Sequence, residues 1–179
     1  MNIDLIPIGK DAPKDVNVII EIGMGGDPIK HEVDKDSGAL FVDRITTASM
    51  RLPANYGFIP HTLSGDGDPV DVLVVCPYPL QPLSVIRCRP IGYMMTEDES
   101  GTDEKVICVP HEKTFPHYAN IKSYKDLPAQ LIAEIQHYYE HYKDLEKGKW
   151  VKVSGWHDAD EAEKVILEAI EFAKSKKAA

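Results

Sequence analysis

The sequence has few cysteines and no long apolar run, and both absences restrict what the protein can be. Its three cysteines are widely spaced within mostly apolar segments, which indicates neither a disulfide framework nor a CxxC metal site: Cys76, Cys88 and Cys108. No apolar run approaches the roughly 18 residues of a membrane-spanning helix, and the N-terminus lacks the basic and apolar segments of a secretory signal. We therefore expect a soluble, cytoplasmic protein with no membrane partner.

Basic residues are too few for a generic nucleic-acid-binding protein. The chain has 20 Lys and Arg against 29 Asp and Glu, a formal net charge of -9, whereas phosphate backbones are held by clustered cations. We expect no nucleic-acid partner. The length of 179 residues suits one globular domain, which we expect to span residues 1–179.

The hydrophobic pattern changes once along the chain. Residues 16–111 alternate between apolar and polar positions, which predicts a compact, mostly antiparallel sheet or barrel, in the segments VNVIIEI, IKHEV, ALFVDRI, VDVLVV, SVIRCRPIGYMM and KVICVP. After Pro128 and again after Trp156, apolar residues recur at helical spacing. We expect two helices, joined through a WVKV strand and packed outside the sheet, with Asp158 or Asp160 capping the second helix.

Three aspartates crowd the segment DGDPVD at the start of an apolar strand. Gly67 and Pro69 predict a loop over residues 66–69, and Asp71 then shares a strand face with Leu73 and Val75. Converging carboxylates need neutralisation, which a divalent cation supplies, although a polar turn that caps a strand also fits. An EF-hand loop does not fit, because it needs an oxygen ligand at its fifth position and Gly at its sixth, and these positions are Val70 and Asp71 here.

Further charges interrupt other predicted strands and a predicted hairpin tip. Any one of them could face water, but together they predict a polar cavity at one mouth of a closing sheet. The strand charges are Glu21, Lys30, Glu32 and Arg44. Asp98, Asp103 and Lys105 lie around the hairpin tip, where solvation also explains them, and they would join the site only by converging with Asp71.

The segment DGDPVDV, from Asp66 to Val72, resembles the signature of soluble family I inorganic pyrophosphatases of the bacterial type. The resemblance covers nearly all of residues 10–156 and includes EIGMGGDPIKHEVDKDSGALFVDR, PANYGFIPHTL, PYPLQPLSVIRCRP and HYKDLEKGKWVKV. It implies hydrolysis of pyrophosphate to two orthophosphates and assembly into a homo-oligomer, a hexamer. With the strand pattern, it implies an α+β, mainly β fold: a closed five-stranded OB-like antiparallel barrel with two C-terminal helices outside.

The resemblance also implies a role for each matching residue. Asp66, Asp71 and Asp103 would hold a first metal, with Asp71 shared by a second. Asp98 and Asp103 would help hold a substrate-borne metal, and Glu32 another. Asp68 would be the general base, and Glu21 would support the cavity from behind. The phosphoryl groups would be held by Lys30, Arg44, Tyr56, Lys105, Tyr142 and Lys143.

The expected metal follows from the ligand chemistry. Ligation by carboxylates alone selects hard ions that keep water ligands, which indicates Mg²⁺ or, as a substitute, Mn²⁺. Ca²⁺ would bind with looser geometry and should inhibit. One position departs from the resemblance: Leu52 stands where many bacterial members have Tyr, so one hydroxyl contact is in doubt.

Two other functions stay open at the level of sequence. The segment HYYEH matches the H-x-x-E-H pattern of inverted zinc peptidases, with His137, Glu140 and His141 as the zinc-site residues. The other alternative is an acidic module that binds Mg²⁺ or phosphate without catalysis. Turnover of pyrophosphate would distinguish the enzyme from that module.

Overall fold

The computed structural model describes residues 2–177, so residues 1, 178 and 179 of the expected domain lie outside the described residues. The strands are β1 (Val16–Ile22), β2 (Ile29–Val33), β3 (Leu40–Ile45), β4 (Asn55–Phe58), β5 (Asp71–Val74), β6 (Val85–Asp98), β7 (Gly101–Pro110) and β8 (Val151–Asp158). The helices are α1 (Ala129–His141) and α2 (Ala159–Lys177), with short 3₁₀ helices at Ile3–Leu5, Pro116–Tyr118 and Tyr124–Asp126. The chain is therefore mainly β with two C-terminal helices, as predicted.

Six strands form the main sheet in the order β1-β4-β5-β7-β6-β8, and β1 also pairs with β6. The pairings of β1, β4, β5, β7 and β6 thus follow one another in a cycle. The pairing is mostly antiparallel, as predicted, and the exception is the parallel pair of β5 and β7, which the expected antiparallel barrel did not include. Parallel neighbours need a long connection, which here includes the 14-residue strand β6.

Strand β4 and the pairing of β2 with β3 were not evident from the pattern. Only four residues long, β4 is too short to show alternation. Strands β2 and β3 form a separate two-stranded sheet, the β2–β3 hairpin (Ile29–Ile45), which no strand pairing joins to the main sheet. The hairpin therefore depends on side-chain contacts for its position.

Alternation along β5 divides the core as predicted. Val72 and Val74 belong to one buried apolar cluster, which α2 completes, whereas Leu73 and Val75 belong to a second, which α1 completes. The three cysteines are buried and free, as small core residues. Neither helix within residues 2–177 combines the length and the apolar character needed to cross a membrane.

Of the two residues predicted as candidates, Asp158 is the one that caps α2. The backbone N–H of Ala159 donates to its Oδ1 atom at 3.1 Å, and Glu161 accepts from the backbone N–H of Asp158 at 3.1 Å. Lys125 donates to the same carboxylate and contributes most to lowering the pKa of Asp158 to about 2. The helix start is therefore anchored to the segment that precedes α1.

Gly57 allows β1 and β4 to approach closely, which gives a test of the fold. A Cβ atom at this position would lie 1.9 Å from the backbone oxygen of Ile19. Gly57→Ala must push the two strands apart, so we expect a loss of about 1–3 kcal/mol in the free energy of unfolding, measured by urea denaturation. Gly65→Ala is the control, since nothing lies within 4 Å of its added Cβ. Equal stability of the two variants would contradict this account of the β1–β4 contact.

Candidate active site

A cavity of about 650 Å³ opens between the β2–β3 hairpin, the start of β5, the tip of the β6–β7 hairpin and the end of α1. Every residue that the resemblance assigned to the site lines this one cavity. They are Glu21, Lys30, Glu32, Arg44, Tyr56, Asp66, Asp68, Asp71, Asp98, Asp103, Lys105, Tyr142 and Lys143. Charges that are far apart in the sequence therefore converge in the fold.

The loop that carries the first aspartates is held by local hydrogen bonds. Asp66 Oδ1 accepts from the backbone N–H of Asp68 at 3.0 Å, and the backbone oxygen of Asp68 accepts from Ser64 at 2.7 Å. Gly67 adopts a φ of +97°, which glycine allows without strain. The loop is a polar turn before a strand, and the same turn directs carboxylates to the cavity.

Lys105 is the buried cation at the centre of the site. Its Nζ atom contacts the Oδ2 atoms of Asp71 and Asp103 and lies 5.8 Å from the centroid of the Tyr56 ring. Burial by itself would lower the pKa of Lys105, but the two carboxylates raise it well above its usual value. The ammonium group therefore stays charged and holds β5 and β7 side chains together.

A second ion pair joins the β6–β7 hairpin tip to the end of α1. Lys143 Nζ lies 2.7 Å from Asp98 Oδ2 and 3.7 Å from Glu99 Oε1. Tyr142 stacks on Tyr138 with ring centroids 5.4 Å apart. These contacts fix one wall of the cavity.

The β2–β3 hairpin contributes the opposite wall. Lys30 pairs with Arg44 in the strand register, and its Nζ atom contacts Glu32 and lies 3.4 Å from Asp43 Oδ2. Arg44 Nε is buried and finds no hydrogen-bond partner among residues 2–177. A buried donor without an acceptor suits an anionic ligand, because an unsatisfied polar group is costly to bury.

Burial perturbs several carboxyl groups around the cavity. Burial raises the pKa of Glu21 to about 7, opposed by the hydrogen bond that its Oε1 accepts from the backbone N–H of Val33 at 2.7 Å and by the charge of Lys35. Burial and the neighbouring Asp66 raise the pKa of Asp68. Burial, with Asp71 and Asp66, also raises the pKa of Asp103, which Lys105 opposes.

The cavity has more carboxyl groups than cations, and some of these residues were not predicted. Ten carboxyl groups line it: Glu21, Asp27, Glu32, Asp34, Asp66, Asp68, Asp71, Asp98, Glu99 and Asp103. Six cations line it: Lys30, Lys35, Arg44, Lys105, Lys143 and Lys149. Lys35 and Lys149 were missed because they lie in segments without strand periodicity. Leu52 is buried and also lines the cavity.

The described residues contain no group of three or more His, Cys, Asp or Glu side chains that could hold a metal ion as they stand. Asp71 and Asp103 are joined by Lys105 instead, whose Nζ atom contacts the Oδ2 atom of each. His137 and His141 lie 4.4 Å apart by ring centroid on α1 and do not line the cavity. Glu140, between them in the motif, accepts a hydrogen bond from Gln136 at 3.0 Å.

Comparison with known proteins decides the family. The profile of the family described as inorganic pyrophosphatase matches residues 18–174. The chain belongs to this family. Curated inorganic pyrophosphatases of Escherichia coli strain K12 and Mesorhizobium japonicum are similar to it, with 58% identity over 96% of this chain and 97% of the relative, and 56% over 99% and 100%.

Solved structures show the same likeness. The crystal structure described as inorganic phosphatase from Anaplasma phagocytophilum has a TM-score of 0.92 and 48% identity, and covers 94% of this chain and 99% of its own. The inorganic pyrophosphatase of Thermus thermophilus has a TM-score of 0.91 and 42% identity, over 97% and 99%. The predicted family and its bacterial type are confirmed, and the chain is a hydrolase of pyrophosphate.

Glu21 gives a test of the electrostatics of the cavity. The pKa of Glu21 is about 7 in the folded state, against 4.5 for an unperturbed Glu. Between pH 4.5 and pH 7, Glu21 is therefore protonated more fully in the folded protein than in the unfolded chain. Its contribution to stability is therefore lost as the pH rises from about 4.5 to 7. Glu21→Gln cannot ionise, so we expect its free energy of unfolding to fall less over this interval, measured by urea denaturation with chelator present. Glu168→Gln, on exposed α2 surface, is the control. Parallel curves for Glu21→Gln and the parent would contradict the assignment.

Proposed function

We propose that the chain hydrolyses inorganic pyrophosphate to two orthophosphates in a Mg²⁺-dependent reaction within this cavity, with Asp68 as general base. The observation that carries the proposal is the convergence of thirteen predicted site residues on one cavity. Arg44, with its buried and unpartnered Nε atom, suits one end of a phosphoryl group. Lys30, Tyr56, Lys105, Tyr142 and Lys143 would supply donors around it.

The excess of carboxylates supports the requirement for a metal. Pyrophosphate is a dense anion, and a cavity with ten carboxyl groups and six cations repels it unless further positive charge is supplied. No His or Cys lines the cavity within the described residues. Oxygen donors alone suit Mg²⁺ or Mn²⁺, and Ca²⁺, with its looser coordination, is expected to inhibit.

The proposed ligands fit such an ion by donor type and by charge. Asp66, Asp71 and Asp103 would hold one ion, with Asp71 shared by a second, and Asp98 and Glu32 would take part in holding others. Asp71 and Asp103 already meet at one cation, Lys105, so two of these carboxylates lie together in the cavity. When bound, the metal supplies positive charge and lowers the pKa of a coordinated water.

Asp68 is proposed to accept the proton of the attacking water. The water oxygen forms a bond to one phosphorus while the bridging P–O bond breaks, and the proton passes to the carboxylate of Asp68. A base is more effective when its pKa is raised toward the working pH, which fits the effect of burial and of Asp66 on Asp68.

The basic and phenolic residues are proposed to hold the two phosphoryl groups and to stabilise the departing phosphate. Lys30 and Arg44 act from the β2–β3 hairpin, and Lys143 and Tyr142 act from the end of α1. Lys105 and Tyr56 lie on the floor beside Asp71. Because Leu52 has no hydroxyl, it offers no hydrogen bond to the substrate.

Four further features belong to the proposal: the barrel, the single domain, the assembly and the location. The cycle of strand pairings supports a closed OB-like barrel, and the two apolar clusters shared by sheet and helices support one domain over the whole chain. Assembly into a hexamer is proposed with the neighbouring exposed rings of His137 and His141 at a contact between subunits. A cytoplasmic location is proposed with it.

Phosphate release tests the proposed reaction. Purified protein with Mg²⁺ should release two phosphates for each pyrophosphate, and a chelator should abolish the release. Excess Mg²⁺ should restore it, since the metal supplies charge that the cavity lacks. Binding of Mg²⁺ without phosphate release would favour the non-catalytic module, and peptide cleavage restored by zinc would favour the peptidase.

Two conservative variants separate the proposed roles of the aspartates. Asp71→Asn removes a charge that two ions share, so Mg²⁺ affinity should fall and added Mg²⁺ should partly restore the rate. Asp68→Asn removes the proton acceptor, so kcat should fall by about 10²–10⁴ with little change in Mg²⁺ affinity. Titration calorimetry and steady-state phosphate release measure both effects. The same affinity and the same rescue in both variants would contradict the division of labour.

A further inference from the structure

The β2–β3 hairpin carries Lys30, Glu32 and Arg44 but belongs to a sheet of its own. A two-stranded hairpin by itself is only marginally stable in water. Phe41, Val42 and Ile45 on β3 are exposed, so this strand gains little from burial. Side-chain contacts with the main sheet must therefore hold the hairpin at the distance from β5 that the site requires.

Contacts between the hairpin and the main sheet cluster at the end of β2. Val33 is buried beside Ile19 and Phe58 of the main sheet, and its backbone N–H donates to Glu21 Oε1 at 2.7 Å. Lys35, two residues further on, donates to the backbone oxygen of Val33 at 2.9 Å. Its Nζ atom lies 4.1 Å from the centroid of the Phe58 ring and 3.8 Å from Glu21 Oε1.

The contacts of Val33 and Lys35 with Glu21 and Phe58 connect the hairpin to two strands of the main sheet at once. Glu21 lies on β1, and Phe58 lies on β4 directly opposite Asp71 in the register of β4 with β5. The ring of Phe58 is buried, with 2% of its surface exposed. An ammonium group over an aromatic face is attracted by its quadrupole, and because 43% of the Lys35 side chain is exposed, water screens part of this attraction.

We infer that Lys35 is a positioning residue, whose ammonium group holds the β2–β3 hairpin against Glu21 and Phe58 and so keeps Lys30, Glu32 and Arg44 at the cavity. This inference rests on the proposed function for the roles of the hairpin residues. Lys35 itself needs no contact with the substrate. Its positive charge is essential because Glu21 and the face of the Phe58 ring both attract a cation more strongly than a neutral chain.

The test compares Lys35→Met with Lys35→Arg in the full chain. Methionine keeps an apolar side chain but loses the cation, so amide hydrogen exchange in residues 29–45 should accelerate by about twofold to tenfold. Arginine keeps the charge and should restore slow exchange. Exchange in β6 and β7 should stay unchanged in both variants. Lys14→Met, at an exposed position outside the cavity, controls for the loss of one surface charge.

Steady-state kinetics provide a second measurement. If the hairpin must close before the substrate binds, a smaller closed fraction weakens apparent binding and leaves the saturated enzyme competent. Lys35→Met should therefore raise KM for pyrophosphate, by up to the factor seen in exchange, with a smaller effect on kcat. Lys35→Arg should return KM toward the parent value.

Phe58→Leu tests the aromatic contact independently. If Lys35 acts through the ring, the effect of Lys35→Met on exchange should be smaller in the Phe58→Leu background than in the parent. Additive effects would overturn the aromatic part of the inference. Should Phe58→Leu fail to fold, the comparison of methionine with arginine at position 35 still decides the role of the charge.

Three results would overturn the inference as a whole. One is a raised KM in Lys35→Met with unchanged exchange, which would make Lys35 a group that acts on the substrate directly. Another is faster exchange throughout the chain, which would indicate general destabilisation. The third is failure of arginine to restore slow exchange. Because exchange does not depend on turnover, a parent without pyrophosphatase activity would reject the proposed function and leave this test intact.

Discussion

The contact of one buried lysine with two aspartates is the interaction on which the rest of the site depends. Lys105 comes from β7 and Asp71 from β5, the two strands that run parallel. Asp103 lies on the same strand as Lys105. Without the ammonium group, the two carboxylates would face each other in a partly buried space. Their repulsion would then oppose the pairing of the strands that carry them.

The remaining charges are arranged around this centre on supports of different stiffness. The aspartates of β5 and β7 lie on a sheet whose faces are both buried by apolar clusters. Lys30, Glu32 and Arg44 lie on a hairpin without strand pairing to that sheet. We infer that an anionic substrate meets a rigid acidic floor and a basic wall held by side-chain contacts.

Much of the site could be predicted because its residues break local rules that neighbouring residues obey. Asp71 follows a loop and precedes VLVV, and Glu21 interrupts VIIEI. Both are therefore recognisable as charged residues within otherwise apolar strand segments. Lys35 did not stand out, because a lysine in the turn DKDSG is ordinary. Its contact with Phe58 joins residues 23 positions apart. Strand β4 was missed since NYGF has too few residues to display a period.

The sequence by itself determined which residues are apolar at period two, where the helices begin, and which charges interrupt the strands. Those are properties of neighbouring residues, and backbone geometry converts them directly into faces and ends. Tertiary structure alone decided that β5 lies parallel to β7, that the β2–β3 hairpin stands apart, and that Lys105 joins Asp71 to Asp103. These outcomes depend on contacts between residues distant along the chain, and no local pattern carries information about which distant partner will be near.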